Sequence, residues 1–325
     1  MSGNLIHKLN VGNIIRPFQL EESSLRGRIV RIDDVLDEIL NKHDYPPLVS
    51  QLLGETITLT ALLSSMLKYE GIFTLQTQGE GPISMLVSDI TSDGDLRGYA
   101  AFNEERVETA REQLAAFARD KIGEGSDNQL AQLLGKGYVA FTVDQGERTE
   151  RYQGIVELKG ASLVDCVQHY FAQSEQIETG IRLAVGQRDG KWRASGIMLQ
   201  KIPEEGGAQD VEMKSNLDED DWRRAMILLQ SCKDEELLDP ELSSYDLLIR
   251  LFHEEGVRVF DPMTVQKSCR CSLEKIENVL AMMSDDDRKE IVVDDKISMV
   301  CEFCSHDYVL DPKEAEARVK EIKEQ

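Results

Sequence analysis

Four of the six cysteines in this 325-residue chain fall into two tight pairs. Cys269 and Cys271 stand one residue apart in SCRCS, and after a 29-residue spacer Cys301 and Cys304 form CEFC. Tetrahedral zinc takes four thiolates at about 2.3 Å each. A C-x-x-C turn lets two sulfurs address one ion, and C-x-C does the same if Arg270 turns outward. Four protein ligands close the coordination shell and leave no place for a reactive water, which argues against a catalytic zinc. Thiolates also suit iron, so the spacing favours zinc without excluding iron. His306 reads as a surface residue rather than a ligand.

Two kinds of chemistry fit such a cage. One is a purely structural zinc. The other is redox switching, because a metal holds cysteine as thiolate, the form that oxidants attack. Each cysteine has a sequence neighbour available as a disulfide partner, Cys269 beside Cys271 and Cys301 beside Cys304. The C-x-C ring is short, so its disulfide should be readily reduced again. A terminal domain of about sixty residues with few large apolar side chains depends on its metal for stability, so losing the ion would unfold it. On spacing alone both readings stay open. A third, thiol–disulfide exchange at Cys301 and Cys304, requires C-x-x-C to open a helix in a thioredoxin-like fold, and the order of elements does not provide that. Cys166 and Cys232 lie on apolar helical faces and read as packing residues.

The elements that must position these sulfurs are an α+β set. Val35, Leu36, Ile39 and Leu40 share a helical face that ends at Pro46-Pro47. A longer helix follows, with Leu48, Leu52, Leu59, Leu62, Leu63 and Met66 at helical spacing up to Lys68. The period then changes to two. Phe73 and Leu75, then Ile83, Met85 and Val87, predict strands joined at QGEGP, and YVAFTV and YQGIVEL predict two more. ASLVDCVQHYFAQSEQ predicts a helix with Leu163, Cys166 or Val167, Tyr170 and Phe171 inward. IRLAVGQRDGKWRASGIMLQ predicts a hairpin turning at Asp189-Gly190. The expected division is a mixed sheet-and-helix domain at 1–205, an acidic amphipathic helical linker at 206–262 and a small four-cysteine zinc domain at 263–325. In the linker, one helix runs from Trp222 through Ala225, Leu228 and Leu229 to Cys232. A second, starting at Asp239-Pro240, carries Leu242, Tyr245, Leu248, Leu251 and Phe252. A charged helix after Asp311-Pro312 closes the chain.

The formal net charge is −23. That charge opposes contact with nucleic acid and with anionic lipid, and it helps a sticky surface stay dissolved. QGEGP lacks the third glycine of a nucleotide fingerprint, and no G-x-x-x-x-G-K-[ST] motif is present. His7, His43, His169 and His253 are scattered and lack paired nucleophiles, so they read as structural or surface residues and no enzyme is expected. MSGNLIHKLN has no signal-peptide pattern, and no apolar run reaches the ~18 residues of a membrane span, so the expected location is cytoplasmic.

The chain resembles, along nearly its whole length, the redox-regulated heat-shock chaperonin family (the 33 kDa chaperonins). The resemblance rests on CRCS at 269–272 with CEFC at 301–304, DYPPLVSQLLGE at 44–55 and LQTQGEGPISMLV at 75–87. LRGYA at 96–100, YQGIVEL at 152–158, YFAQSEQIET at 170–179, GIMLQKIP at 196–203 and LLIRLFHEEGVRVF at 247–260 extend it. It implies an ATP-independent holdase of the stress response that binds unfolding client proteins under oxidative stress. It further implies one zinc per chain in an inactive reduced form, held by Cys269, Cys271, Cys301 and Cys304. Oxidation would form the disulfides Cys269–Cys271 and Cys301–Cys304, release zinc, unfold the C-terminal domain and the adjacent linker, and favour a homodimer.

Overall fold

A computed structural model describes residues 12–23, 25–66, 70–120, 129–146, 151–201 and 211–324. The chain divides into two compact units, Met1–Lys267 and Ser268–Gln325.

The larger unit contains two antiparallel sheets and a helix buried between them. Its strands are β1 (Ile14–Leu20), β2 (Leu25–Ile32), β3 (Ile72–Gly79), β4 (Ile83–Thr91), β5 (Asp95–Phe102), β6 (Gly137–Asp144), β7 (Tyr152–Glu157), β8 (Thr179–Arg188), β9 (Lys191–Lys201), β10 (Val257–Val259), β11 (Met263–Thr264) and β12 (Gln266–Lys267). The first sheet has the order β10-β1-β2-β9-β8, with β11 also on β1; the second has the order β12-β5-β4-β3-β6-β7. Among the described residues, only β12 pairs in parallel, against β5. The β8–β9 hairpin turns at Asp189 and Gly190 with φ of 52° and 76°, both left-handed, as a two-residue hairpin turn of this type requires.

The helices of this unit are α1 (Asp34–Leu40), α2 (Pro47–Ser64), α3 (Glu104–Asp120), α4 (Gln129–Leu134), α5 (Leu163–Tyr170), α6 (Val211–Ser231), α7 (Asp234–Leu237) and α8 (Ser244–Phe252). Helix α1 buries the four expected residues, Val35, Leu36, Ile39 and Leu40. Helix α2 departs from expectation. It ends at Ser64, and Lys68 lies outside the described residues. It is also buried far beyond one stripe, with Thr56, Thr58 and Thr60 fully covered. The reason is its position between two sheets: Ile57 packs against Gly98 of β5, while Thr58 and Leu62 pack against Gly196 of β9. Its threonine hydroxyls donate back to carbonyls four residues earlier, at 2.7–2.8 Å, so no polar group is stranded there. Helix α5 has the capping box of Ser162 and Asp165, buries Leu163, Cys166, Val167 and Tyr170, and passes into a single π-turn at Phe171–Glu175.

The outer face of the first sheet forms a second core. Phe18, Leu20, Leu25, Ile29, Ala184, Ile197 and Leu199 on the sheet meet Ala225, Leu229, Cys232, Leu237, Leu238, Leu242, Leu247, Leu248, Leu251 and Phe252 of the segment α6–α8. The approach is close enough that a Cβ on Gly180 of β8 would lie 2.2 Å from Met226 Sδ. Residues 202–210, which take in the start of the expected linker, lie outside the described residues, and its acidic stretch at 211–221 belongs to α6. The second helix of this segment, α8, starts at Ser244 behind an N-cap at Ser243, not at Asp239-Pro240. The Ser243 side chain accepts from the Asp246 N–H, whereas the Asp239 carboxylate caps a turn by accepting from the Glu241 N–H. The segment expected as an amphipathic helical linker also contains β10, which pairs with β1.

The smaller unit holds β13 (Val292–Val293), β14 (Lys296–Val300) and β15 (Asp307–Leu310) in one antiparallel sheet. Its helices are α9 (Leu273–Met282), α10 (Asp285–Glu290) and α11 (Pro312–Lys323), the last being the expected closing helix, capped by Asp311. Among the described residues its buried apolar core is four side chains, Leu280, Ile297, Ala315 and Val319, ringed by half-buried neighbours. So small a core gives little stability on its own.

Candidate metal centre

All four clustered cysteines sit at the ends of short elements. Cys269 and Cys271 precede α9, whose N-cap is Ser272. Cys301 directly follows β14, and Cys304 lies in the turn before β15. That turn is tight: the Ser305 N–H donates to the Cys301 carbonyl at 2.8 Å, the Cys301 N–H donates to the His306 carbonyl at 2.9 Å, and Ser305 takes a left-handed φ of 57°. Local hydrogen bonding thus aims both sulfurs of C-x-x-C to one side. On the other arm, the Lys275 ammonium donates to the Arg270 carbonyl at 2.6 Å, which ties the C-x-C loop to the first turn of α9.

The four sulfurs converge. Cys269 Sγ lies 3.7 Å from Cys301 Sγ, and Cys271 Sγ lies 3.5 Å from Cys304 Sγ. All four lie within 4.8 Å of one another. Four ligands at about 2.3 Å around a tetrahedral ion stand about 3.8 Å apart along each edge, so the cluster has the size of one closed sulfur cage. The residues present fit a single thiophilic ion. All four cysteines are half-buried.

Their environments differ. Burial would raise the Cys269 thiol, but hydrogen bonding from the Cys271 backbone and the three neighbouring sulfurs outweighs it and brings the group down to about 7. Burial prevails at Cys301, which is raised, and at Cys304, which is pushed up to about 12 despite a backbone hydrogen bond from His306. Cys269 is therefore more acidic than either residue of the C-x-x-C pair. The Tyr308 hydroxyl hydrogen-bonds to Cys271, and that bond, with burial, pushes the phenol up to about 12. An outer donor of this kind orients a ligand sulfur and tempers its reactivity. Nothing in the sequence reading singles out Tyr308, and its position two residues into β15, on the strand that follows C-x-x-C, is the only signal that could have found it. His306 contributes its backbone carbonyl to the turn and its ring to an edge contact with Tyr308 at 4.5 Å between centroids; it is not in the cluster.

Of the two other cysteines, Cys166 is buried in the main core and Cys232 in the second core under the linker. Burial pushes both thiols up, Cys232 to about 11. C-x-x-C sits between two strands rather than at a helix start, which removes the geometry that thiol–disulfide exchange requires. Among the described residues, no helix is long and apolar enough to cross a membrane.

Residues 13–311 match the family described as Hsp33 protein. The chain is 40% identical over 305 residues to the 33 kDa chaperonin of Caulobacter vibrioides, covering 92% of this chain and 95% of that protein. It is 34% identical over 295 residues to the 33 kDa chaperonin of Escherichia coli O7:K1, covering 90% of each. Its fold is similar to the crystal structure of the 33 kDa chaperonin of Thermotoga maritima, with a TM-score of 0.74 over 97% of this chain and 100% of that one at 23% identity. Extended identity to named chaperonins, over a span that takes in both sheets, the covering helices and all four clustered cysteines, settles the family: the chain belongs to the Hsp33 family of chaperones.

Proposed function

We propose that this chaperone is a redox-switched, ATP-independent holdase that captures unfolding proteins during oxidative stress in the cytoplasm. The observation that supports it best is the sulfur cage, four cysteines within 4.8 Å of one another, set in a unit with four buried apolar side chains. In the reduced form Cys269, Cys271, Cys301 and Cys304 hold one zinc. When bound, the ion supplies a cross-link among four thiolates and thereby the stability that the small core lacks. In this state α6–α8 cover the apolar face of the first sheet, and the chaperone is inactive.

Oxidation by peroxide forms two S–S bonds, by resemblance Cys269–Cys271 and Cys301–Cys304. Each bond forms as two thiolates lose an electron pair to one peroxide, which takes up protons and leaves as two waters. The sulfurs then no longer bind the ion, and the small unit unfolds. The chain runs from α8 to Cys269 through about sixteen residues, among them the short strands β10–β12, so loss of order beyond Ser268 weakens the anchoring of the linker. Its release bares two apolar faces, its own and that of the sheet, and exposed apolar area of this kind binds clients. The oxidised form is a homodimer.

The test treats zinc-loaded protein with peroxide at raised temperature and follows zinc release together with suppression of aggregation of an unfolding client. Zinc release with client protection is expected. Zinc release without protection leaves a structural zinc domain and sinks the holdase reading. Catalytic turnover of insulin disulfides would favour an oxidoreductase.

A further inference from the structure

The covered face of the first sheet is not wholly apolar. Along β2, Leu25 and Ile29 point towards the linker, and by strand alternation Arg31 points the same way. On β8 and β9, Ala184, Ile197 and Leu199 face the linker, and so by parity do Arg182 and Arg193. Two of these arginines, Arg182 and Arg31, bond to the segment 232–239, and they meet it differently.

Arg182 is well satisfied. Its Nε donates to the Cys232 carbonyl at 3.1 Å, one terminal nitrogen donates to the Leu183 carbonyl at 3.1 Å, and the other pairs with the Asp234 carboxylate. It thus ties the α6–α7 junction to β8 at two points. Arg31 is 6% exposed, and among the described residues its side chain makes one hydrogen bond, from Nη1 to the Asp239 carbonyl at 3.0 Å. Its Nε and Nη2 have no acceptor among the described residues. Asp33 and Asp239 act on it as counter-charges and Arg193 as a like charge, but Asp33 is already paired with Arg193 at 3.1 Å. A buried guanidinium with two donors that no described residue accepts from opposes the state that buries it. Opening the linker would return it to water.

We infer that Arg31 and Arg182 set the strength of linker docking in opposite directions: Arg182 holds the segment down, and buried Arg31 pushes against it. This gives the covered state a release bias built into the sheet and separate from the sulfur cage. The assignment of that release to chaperone activation rests on the holdase reading; the opposing signs do not.

The test is amide hydrogen exchange on reduced, zinc-loaded, full-length protein without oxidant or client, read at α8 amides such as Leu248 and Phe252. Arg31→Met is expected to raise protection there by about tenfold, and Arg31→Gln, which keeps a donor for the Asp239 carbonyl, to raise it as well. Arg182→Ala is expected to lower it by about tenfold. Unchanged or lowered protection in Arg31→Gln overturns the inference, as does loss of the fold in both Arg31 variants, because a group that opposes docking can be removed without harm. Since neither zinc release nor client binding is measured, this result and the fate of the holdase reading are independent.

Discussion

The ring of Phe252 on α8 stacks on the ring of Phe18 on β1, with centroids 6.3 Å apart and planes 25° from parallel. Both side chains are essentially inaccessible, so this pair is enclosed within the face that the linker covers. Truncation of a buried phenylalanine costs about 3–5 kcal/mol. Phe252→Ala should therefore loosen the linker without touching the sulfurs. The expected outcome is partial suppression of client aggregation in reducing buffer with zinc content unchanged. A variant that still needs peroxide to act would show that this face is not what the switch uncovers.

Removal of one ligand tests the cage. Cys271→Ser should lower zinc affinity on the order of 100-fold or more, measured by competition with a chromophoric chelator, because an alcohol does not replace a thiolate at zinc. The same variant should show faster exchange throughout 273–323 and should be partly active without oxidant. Wild-type affinity would count against a four-sulfur site.

Arg288 is the second prop of the small unit. It is almost fully buried, pairs with Asp285 at 2.6 Å and Glu316 at 2.9 Å, and donates to the carbonyls of Leu280 and Met283. It thereby ties α9, α10 and α11 together. Arg288→Met should lower the melting temperature of the small unit in the zinc-loaded full-length chain by at least about 5 °C and lower the peroxide dose that releases zinc. An unchanged peroxide dose in a destabilised variant would separate folding stability from oxidant sensitivity.

Glu55 on α2 makes a pH prediction. Burial outweighs a hydrogen bond from Gln51 and pushes its carboxyl from 4.5 up to about 7. The folded state therefore holds more protons than the unfolded state between these values, and stability must fall as pH rises through that window. Above about pH 7 the penalty is constant, with an upper bound of about 3 kcal/mol. Glu55→Gln should flatten urea stability between about pH 5 and about pH 7.5 and stabilise the protein at the alkaline end. A variant as pH-dependent as the parent would show that Glu55 is solvated.

Features that depend on near neighbours in sequence were legible. The four buried positions of α1, the Asp189-Gly190 turn and the Asp311 cap of the last helix follow from periodicity and backbone preference within a few residues. The sulfur cage was legible for the same reason, since two short-range pairs needed only one meeting. Less legible was anything set by distant partners. β1 and β2 are absent from the predicted strands, and they belong to one sheet with β9, over 160 residues away, which pairs with β2. α2 reads as a one-sided helix but is covered by two sheets, and no local pattern encodes a second layer.

The sequence alone determined the chemistry available: four clustered thiols, a strong negative charge, an amphipathic segment before the sulfurs and the family resemblance. Tertiary structure decided which surface that segment covers, that Arg182 lies beneath it fully bonded while Arg31 lies there with two donors that no described residue accepts from, and that Tyr308 reaches Cys271. The physical reason is that cysteine spacing and helix periodicity are encoded in residue type and local order. Burial, the meeting of hydrogen-bond partners and the cost of an unmet donor arise only when strands far apart in the chain are brought side by side.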